Sequence, residues 1–450
     1  MRLAEYSYKN ISFIQGPLLF VEDVANARMG EIVKVVASNG REVEGQVLKI
    51  ESSTVLVQIL GESSGLDIEN TSVVFTDMLE QAPLSQDMIN RIFNGAFEAI
   101  DGKPMFIPEK YSPIGGLPIN PTARGCPEEF IETGYSAIDG LNSLVKGQKL
   151  PVFSCAGLPS TELAASILKN SRVISGPGGH AGTDFIIIFV ALGLTHHEYA
   201  FYMKALESMQ TGQISFINLA SDPAMERLLA PRFGLTAAEY LAFELGMDVL
   251  VVITDMTNYC DALREISTAR KELPGRRGYP GYMYSDLASL FERAGRLIDR
   301  TGSVTMLPLL TMPDDDITHP IPDLTGYITE GQIVLSREMY QKGIAPPIDV
   351  LPCLSRLMGK GIGKGHTRSD HRQVADQLYK HYARGRDLRN LEAIVGREGI
   401  NKEDLLFLDF ADAFELKFIN QAGMRRSVEE TLDLGIKLLS EYSEEQNSSE

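Results

Sequence analysis

The 450-residue chain is 44% apolar and 23% charged, an ordinary balance for a globular protein, and at ~150 residues per domain its length predicts about three domains. Its formal net charge of −18 argues against broad nucleic-acid binding, which needs a cationic surface, so we expect no nucleic-acid partner. No window approaches the ~18 uncharged apolar residues of a membrane span, and no secretory signal is visible at the start. The 4 cysteines are scattered without a C-x-x-C pair, which disfavours a metal site or a disulfide framework and fits a reducing cytoplasm.

Residues 1–77 alternate between apolar and polar side chains in about six short runs. Examples are E-I-V-K-V-V at 31–36, G-Q-V-L-K-I at 45–50 and T-V-L-V-Q-I-L at 54–60, and the runs are separated by Gly, Asn, Ser and Asp. Several strands at this spacing predict a small antiparallel β-barrel, because a large sandwich needs more strands.

Residues 78–350 change to an alternation of strands and helices. The largely apolar runs at 214–219 (I-S-F-I-N-L) and 249–253 (V-L-V-V-I) are typical of buried parallel strands, whereas 236–245 and 285–298 have helical patterns. This alternation predicts an α/β domain with a largely parallel sheet. Ligands of such sheets bind at the carboxyl ends of the strands.

Residues 351–450 show helical periodicity and no further strands, which predicts a helical bundle. The apolar side chains that share a helical face are Val374, Leu378 and Tyr382, and further on Leu388, Leu391 and Val395. The acidic tail from residue 440 is predicted to be disordered. The glycine-rich segments 175–183 and 359–367 are interpreted as surface loops, and the second lacks the spacing of a phosphate-binding loop.

Residues 151–165 have the strand–loop–helix pattern of a phosphate-binding loop, but the loop is degenerate. Aligned on G-x-x-x-x-G-K-T, positions 154–161 read S-C-A-G-L-P-S-T, in which Gly157 and Thr161 keep one loop glycine and the Mg²⁺-binding hydroxyl. Ser160 replaces the lysine, and Pro159 removes a backbone N–H donor. Glu162 places negative charge where a phosphate would bind, although Pro159 and Glu162 are also simply good residues for starting a helix. Both interpretations predict that this loop does not hydrolyse ATP efficiently.

The other acids of a working site are also incomplete. Asp255 ends the apolar run V-L-V-V-I-T-D and has the position of a strand-end acid that holds Mg²⁺ through water. It is equally consistent with a strand-end acid that has no metal partner. A second acid, which would polarise the attacking water, is expected after residues 214–219. There Asp222 is followed by Pro223, Glu226 is expected in a helix, and no residue is clearly placed as the base.

Longer motifs in the same chain are more specific than these short patterns. They are E-T-G-Y-S-A-I-D-G-L-N-S-L-V-K-G-Q-K-L-P (132–151), L-T-A-A-E-Y-L-A-F-E (235–244), I-T-D-M-T-N-Y-C-D-A-L-R-E (253–265), P-G-R-R-G-Y-P-G-Y (274–282), T-H-P-I-P-D-L-T-G-Y-I-T-E-G-Q-I (318–333) and P-P-I-D-V-L-P-C-L-S-R-L-M (346–358). Over nearly its whole length the chain resembles the B subunit of the V-type and archaeal-type rotary ATPases.

The resemblance implies an α/β multidomain fold: an antiparallel β-barrel at 1–77, a P-loop-NTPase-like parallel α/β nucleotide domain at 78–350 and a helical domain at 351–450. It implies a non-catalytic subunit that alternates with catalytic A subunits in a hexameric ring. ATP or ADP is expected at the interface between subunits, with Mg²⁺ held mainly by the partner. The other expected partners are central-shaft and peripheral-stalk subunits and, indirectly, a membrane sector that moves protons or sodium ions. The expected location is cytoplasmic and peripheral to the membrane.

The resemblance also assigns site residues. Arg356, in C-L-S-R-L-M, matches the arginine that reaches the nucleotide held by the neighbouring A subunit, where a guanidinium stabilises the charge of the transition state. Ser355 and Tyr327 are expected near the same nucleotide. Arg276 and Arg277 match a segment that faces the rotating shaft, although an exposed basic turn explains them as well.

Two departures from the family and two alternatives stay open. The glycine-rich insert at 175–183 is one departure, and no function is assigned to it. The family's loop usually reads S-G-S-G-L-P-H-N-E, and here it reads S-C-A-G-L-P-S-T-E, so Thr161 leaves weak nucleotide retention possible at Gly157, Ser160, Thr161 and Asp255. The chain is alternatively a passive scaffold of the ring, in which Arg356 is inactive. A self-contained ring ATPase is the other alternative, but it needs a lysine at position 160 and a water-polarising acid.

Overall fold

The computed structural model describes residues 6–15, 18–28, 30–59, 65–116, 118–174, 185–209 and 211–447. The glycine-rich segment 175–183 lies outside the described residues, so its interpretation as a surface loop stays a prediction. Within the described ranges, no helix combines the length and the apolar character needed to cross a membrane.

The N-terminal strands form one curled antiparallel sheet. They are β1 (Tyr6–Tyr8), β2 (Ile11–Gln15), β3 (Leu18–Val21), β4 (Glu31–Val36), β5 (Glu42–Glu51), β6 (Thr54–Ile59) and β7 (Ser72–Leu79). Their order is β1-β7-β4-β5-β6-β3-β2. Inward residues such as Val33, Val35 and Val57 form a core of their own, because alternate side chains of a strand point to the same face. The predicted antiparallel barrel is confirmed.

The central region alternates strands and helices as predicted. Its elements are β8 (Gln81–Leu84), β9 (Arg91–Asn94), β10 (Lys110–Pro113), β11 (Phe130–Glu132), α1 (Ser136–Asp139), β12 (Leu144–Val145), β13 (Val152–Cys155), α2 (Ser160–Asn170), β14 (Arg172–Val173), β15 (Phe185–Leu194), α3 (His196–Glu207), β16 (Gly212–Leu219), α4 (Ala224–Glu239), β17 (Asp248–Thr254), α5 (Met256–Ala269), α6 (Met283–Phe291), β18 (Gly295–Arg296), β19 (Ser303–Met312), α7 (Pro320–Ile328), β20 (Gly331–Val334), α8 (Arg337–Gln341) and β21 (Leu354–Ser355). A π-helical turn, Tyr240–Glu244, continues α4.

The main sheet has the order β21-β20-β13-β19-β17-β15-β16-β9. All neighbouring strands along this path are parallel except the edge strand β21, which runs antiparallel to β20. The side chains of β15 are almost all buried, because a parallel sheet in an α/β fold is covered on both faces. The parallel arrangement places the ends of β13, β17, β19 and β20 at one edge, where ligands of such sheets bind.

One helix prediction in this region is wrong at its end. The pattern at 285–298 predicts a continuous helix, but α6 ends at Phe291 and Gly295–Arg296 forms β18 against β19. Gly295 has φ of 155°, which an α-helix does not allow, and its backbone pairs with Val304 instead. Pairing with an existing strand therefore overrides the local helical pattern.

The C-terminal region is helical from Met358 onward, but the prediction of no strand after residue 350 is wrong, because Leu354–Ser355 forms β21 against β20. It contains α9 (Met358–Gly361), α10 (His371–Val395), α11 (Lys402–Ala413) and α12 (Val428–Asn447), with a π-helical turn, Phe414–Ile419, after α11. Val374, Leu378 and Tyr382 are buried on one face of α10, which confirms that part of the predicted core. This face packs against α11 and α12, so the three helices form the bundle.

Two details of the bundle differ from the sequence pattern. Leu391 and Val395 are 42% and 47% exposed. The packing on α10 ends near Leu388, which forms a small buried cluster with Ile400 and Leu408. The tail predicted to be disordered from residue 440 instead continues α12 as far as Asn447. Apolar side chains account for this extension: Leu438 is buried, and the ring of Tyr442 contacts Phe410 with a centroid distance of 5.7 Å.

Candidate functional site

The loop after β13 uses its own backbone donors. The N–H of Ser160 donates to the carbonyl of Leu158 at 2.8 Å, and the N–H of Leu158 donates to Cys155 at 3.1 Å. Pro159 has no N–H and caps α2 without a side-chain hydrogen bond. Gly157 has a left-handed φ of 79° and open space around it. A phosphate needs converging N–H groups, and those of Leu158 and Ser160 are already bonded within the loop.

An ion pair covers the carbonyl side of the same loop. Arg337 follows β20, and its Nη2 donates to the carbonyl of Ala156 at 2.8 Å. The same guanidinium pairs with both carboxylate oxygens of Asp315, which follows β19 and whose pKa is lowered by this contact. Burial, helped by Asp315, raises the pKa of the Cys155 thiol to about 11, so the thiol stays neutral. The guanidinium nearest the loop is thus already bonded to protein groups.

Sequence reasoning missed Arg337 and Asp315. The available signal was their position: each comes shortly after an apolar run, where α/β proteins place polar groups. What the sequence did not show is that β19 and β20 flank β13 on its two sides, which brings the acid and the base together.

Asp255 lies at the end of β17, as predicted, and serves as a cap. Its Oδ1 accepts from the N–H groups of Thr257 at 2.7 Å and Thr311 at 3.2 Å, and its Oδ2 accepts from the Thr311 hydroxyl at 2.5 Å. Burial raises the pKa of Asp255, and these hydrogen bonds oppose that rise. Both oxygens already have protein donors, so the carboxylate is poorly suited to hold a water-bridged Mg²⁺.

The two hydroxyls of the predicted loop differ in their surroundings. The side chains of Thr161 and Thr254 act to lower the pKa of the Tyr202 hydroxyl, against the effect of its burial. Tyr202 comes from α3 and is buried, and this burial raises its pKa, so its hydroxyl stays protonated. Ser160 starts α2 and carries no charge for a phosphate. Within the described ranges, no group of His, Cys, Asp and Glu side chains has a geometry that could hold a metal ion.

The predicted location of a water-polarising acid is wrong. It was expected after residues 214–219, which form β16, but β15 lies between β16 and β17 and is therefore closer to Asp255. β15 is followed by Thr195, which caps α3, and the carboxylate of Glu198 accepts from the N–H and hydroxyl of Thr195 at 2.9 and 2.8 Å. Sheet order, which no local pattern reveals, decides which strand end faces the loop.

The acids after β16 serve other purposes. Asp222 accepts from the N–H of Leu219 at 2.6 Å and closes the turn after the strand. Glu226 lies in α4, as expected, and burial together with Asp222 and Glu98 raises its pKa to about 7. Neither acid stands beside the loop after β13.

Arg356 lies at the opposite end of the sheet. Its backbone N–H donates at 2.9 Å to the carbonyl of Glu330, the residue before β20, and Glu330 in turn donates its N–H to the carbonyl of Lys149, before β13. From Lys149 to Ala156 the chain spans seven residues, on the order of 20 Å for extended backbone. The structure therefore does not bring Arg356 together with the loop residues of its own chain.

The guanidinium of Arg356 is exposed, and in the part of the chain that the structure describes it has no hydrogen-bond or ion-pair partner. Tyr327, on α7, is 75% exposed and stands three residues before Glu330, so it belongs to the same edge. Ser355 is different: its hydroxyl donates to the carbonyl of Ser143 at 2.8 Å and accepts from Gln148 at 2.9 Å. The nucleotide-binding roles of these three residues stay predictions.

Comparisons with known proteins show the family to which the chain belongs. Three family models match: the β-barrel domain of the ATP synthase alpha/beta family at residues 11–77, its nucleotide-binding domain at 134–355, and the C-terminal domain of V and A type ATP synthase at 360–449. The V-type ATP synthase beta chain of Geotalea uraniireducens (strain Rf4) is 66% identical over 443 residues, which cover 98% of this chain and 99% of that protein.

A solved structure is similar as well. It is described as a unique ATP synthase subunit, NeqB, from Nanoarcheaum equitans, and it matches with a TM-score of 0.73 and 39% identity. The match covers 95% of this chain and 99% of that one.

Proposed function

The chain belongs to the ATP synthase alpha/beta family as a V-type beta chain, and from that premise we propose that it is the non-catalytic B subunit of a rotary ATPase. It alternates with catalytic A subunits in a hexameric ring and supplies Arg356 to the nucleotide held between the two subunits. The whole complex couples ATP synthesis or hydrolysis to the transport of protons or sodium ions.

The observation that carries this proposal is the separation of Arg356 from its own loop. The cation is exposed and, among the described residues, unpaired at the amino end of β20, whereas the degenerate loop lies at the carboxyl end of β13. An exposed arginine without a described partner in its own chain is available to a nucleotide of a neighbouring subunit, which supports the proposal. Arginines supplied in this way accelerate phosphoryl transfer by ~10³–10⁵.

The absence of catalysis by the chain itself is supported by the contacts around Gly157. The loop has no lysine, the N–H groups of Leu158 and Ser160 bond within the loop, and Asp255 caps a helix. ATP or ADP therefore binds at the interface, with Mg²⁺ held mainly by the partner. Thr161 is the residue through which weak nucleotide retention by the loop is still possible.

The remaining partners follow from membership in the family. The subunit contacts a central shaft and a peripheral stalk and is linked through them to a membrane sector, so it is cytoplasmic and peripheral. Arg276 and Arg277 are proposed to face the shaft. In the isolated chain Arg276 pairs with Asp323 at 3.1 Å and Arg277 pairs with Asp316 at 2.9 Å. A contact with the shaft would have to replace these ion pairs, which are exposed and therefore stabilise the chain little.

The test is ATP turnover by the purified chain, alone and after mixing with a catalytic A-type subunit, with Arg356 or with Arg356→Ala. We expect no turnover by the chain alone, a ring with turnover on mixing, and a loss of ~10³ or more with Arg356→Ala. Arg300→Ala is the matched control, because Arg300 is another exposed arginine of the central region and no side-chain partner is described for it.

The outcomes separate the alternatives. Unchanged turnover of the Arg356→Ala ring would make the chain a passive scaffold. Substantial turnover by the chain alone would mean that Ser160 and Thr161 support catalysis, and the non-catalytic assignment would be wrong.

A further inference from the structure

A buried amide lies beside β21, the edge strand that immediately precedes Arg356. Gln148 is completely buried, and its Nε2 donates to the Ser355 hydroxyl at 2.9 Å and to the Glu330 carbonyl at 3.4 Å. Its Oε1 accepts from the N–H of Val145 at 3.0 Å. The two N–H groups and the oxygen of this amide therefore all have partners. Two of its three bonds go to residues next to Arg356: Ser355, which precedes it in the chain, and Glu330, whose carbonyl accepts its backbone N–H.

The Glu330 carbonyl is a shared acceptor. It receives the N–H of Arg356 at 2.9 Å and the amide of Gln148, so one oxygen joins the arginine to the buried layer. Glu330 is itself held in place, because its carboxylate accepts from the backbone N–H of Lys149 at 2.8 Å and pairs with the Lys149 Nζ at 3.0 Å. Lys149 is buried, so this anchor does not move freely.

The edge strands β20 and β21 are also unusually close to each other. A Cβ on Gly331 would lie 2.0 Å from the carbonyl oxygen of Leu354, which no real side chain tolerates. Gly331 pairs with Ser355 in the register of β20 and β21. The two-residue strand β21 is thus fixed by pairing, by the Ser355 hydroxyl and by the Gln148 amide, although it lies at an edge.

We propose that Gln148 is a positioning residue for Arg356, which acts by holding Ser355, the residue before the arginine, and the Glu330 carbonyl that accepts the arginine's N–H. The proposal rests on the proposed function, since it assigns a role in the same trans site. Its physical basis is that an exposed arginine on a short edge strand would otherwise sample many positions. A misplacement of ~1 Å can cost ~10²-fold in rate, so a fixed backbone has a large effect on turnover.

The test compares Gln148→Met with Asn142→Leu in the ring assembled with the catalytic A-type subunit. Both changes replace a buried amide by an apolar side chain of similar size, but the described hydrogen bond of the Asn142 side chain goes to the carbonyl of Ala137 and not to β21. We expect Gln148→Met to lower kcat at least tenfold with little change in KM, and Asn142→Leu to change kcat less than about twofold.

A double-mutant cycle distinguishes positioning from a general structural effect. If Gln148 acts through Arg356, Gln148→Met should have almost no further effect in a ring that already carries Arg356→Ala. An equal fold-loss from Gln148→Met in the parent ring and in the Arg356→Ala ring would overturn the positioning role while leaving the trans-arginine proposal intact. Unchanged turnover of the Arg356→Ala ring would overturn both.

A second variant covers the case in which Gln148→Met does not assemble. Ser355→Ala removes only the hydroxyl that Gln148 and Ser143 hold, and it should show the same dependence on Arg356 with a smaller loss of kcat. Full turnover of an assembled Ser355→Ala ring, or an equal fold-loss from Ser355→Ala in the parent and the Arg356→Ala backgrounds, would contradict the proposal.

Discussion

At the carboxyl end of β13 the polar groups bond to one another, whereas at the amino end of β20 one guanidinium is left without a partner among the described residues. Arg337 is bonded to Asp315 and to the carbonyl of Ala156, and Asp255 is bonded to Thr257 and Thr311. Among the described residues, Arg356 has partners for its backbone and none for its guanidinium. A polar group that is bonded within the chain contributes to the stability of the fold. A polar group without such a partner can bind another molecule.

The comparison also shows that a charge is not enough to make a site. Arg337 lies much closer to the degenerate loop than Arg356 does, yet its donors are taken up by Asp315 and Ala156. Arg356 forms no ion pair with any acid in the described part of the chain, and its neighbours Ser355 and Glu330 anchor the main chain instead. The contrast can be tested at both ends of the sheet.

After that of Arg356→Ala, the largest expected effect is that of Arg356→Lys. A lysine keeps the charge but replaces the planar, bidentate guanidinium by a single ammonium group, so we expect turnover of the assembled ring to fall by ~10². The measurement is steady-state ATP hydrolysis, with Arg300→Lys as the control. Turnover within twofold of the parent ring would show that charge alone suffices.

Gly331→Ala should have the next largest effect, on stability. The added Cβ would collide with the Leu354 carbonyl at 2.0 Å, and Gly331 has φ of 147°, so we expect a loss of about 2–3 kcal/mol. Gly343→Ala is the matched control, since Gly343 has φ of 75° with open space around it and should cost about 1 kcal/mol. The midpoint of urea unfolding measures both, and equal shifts would show that the close approach of β20 and β21 is not tight in solution.

A smaller effect on stability is expected from replacing Glu226, whose pKa is raised to about 7 by burial and by Asp222 and Glu98. The unfolded carboxyl titrates near ~4.3, so the folded chain holds an extra proton between these values and stability falls as the pH rises through that window. Glu226→Gln should remove this loss and stabilise the chain by about 1 kcal/mol at pH 8, after allowance for solvent screening, with little effect near pH 5.

The control for that prediction is Glu207→Gln, at the exposed end of α3. Urea unfolding of both variants at several pH values is the measurement. A stabilisation that does not depend on pH, or one that the control shares, would contradict the assignment to Glu226.

The smallest expected effect is that of repairing the loop. The double variant Pro159→Gly, Ser160→Lys restores a lysine and a backbone donor, but Asp255 still caps α5 and Arg337 still bonds to Ala156. We therefore expect no ATP turnover by the purified variant chain. Turnover would mean that the loop sequence alone had disabled the site.

Much of the architecture could be read from local patterns, for simple reasons. A strand alternates with period two when one face is buried and is apolar throughout when both are, so the barrel and the parallel sheet were predictable. The degenerate loop was visible because Ser160 and Pro159 stand at fixed distances from Gly157. The arginine was found through its motif and not through its surroundings.

The remaining features depend on which strands become neighbours, and local sequence does not encode this. The order of the sheet puts β15 beside β17, so the acid expected after β16 was misplaced, and it brings Arg337 to Asp315 across β13. Likewise, Leu391 has the right helical spacing for a core but is exposed where the neighbouring helices end. Periodicity and motifs are properties of a few adjacent residues. Burial, strand pairing and the absence of a described partner for the Arg356 guanidinium are set by segments that lie far apart in the chain. Only the packing of those segments decides which charged side chains have a partner.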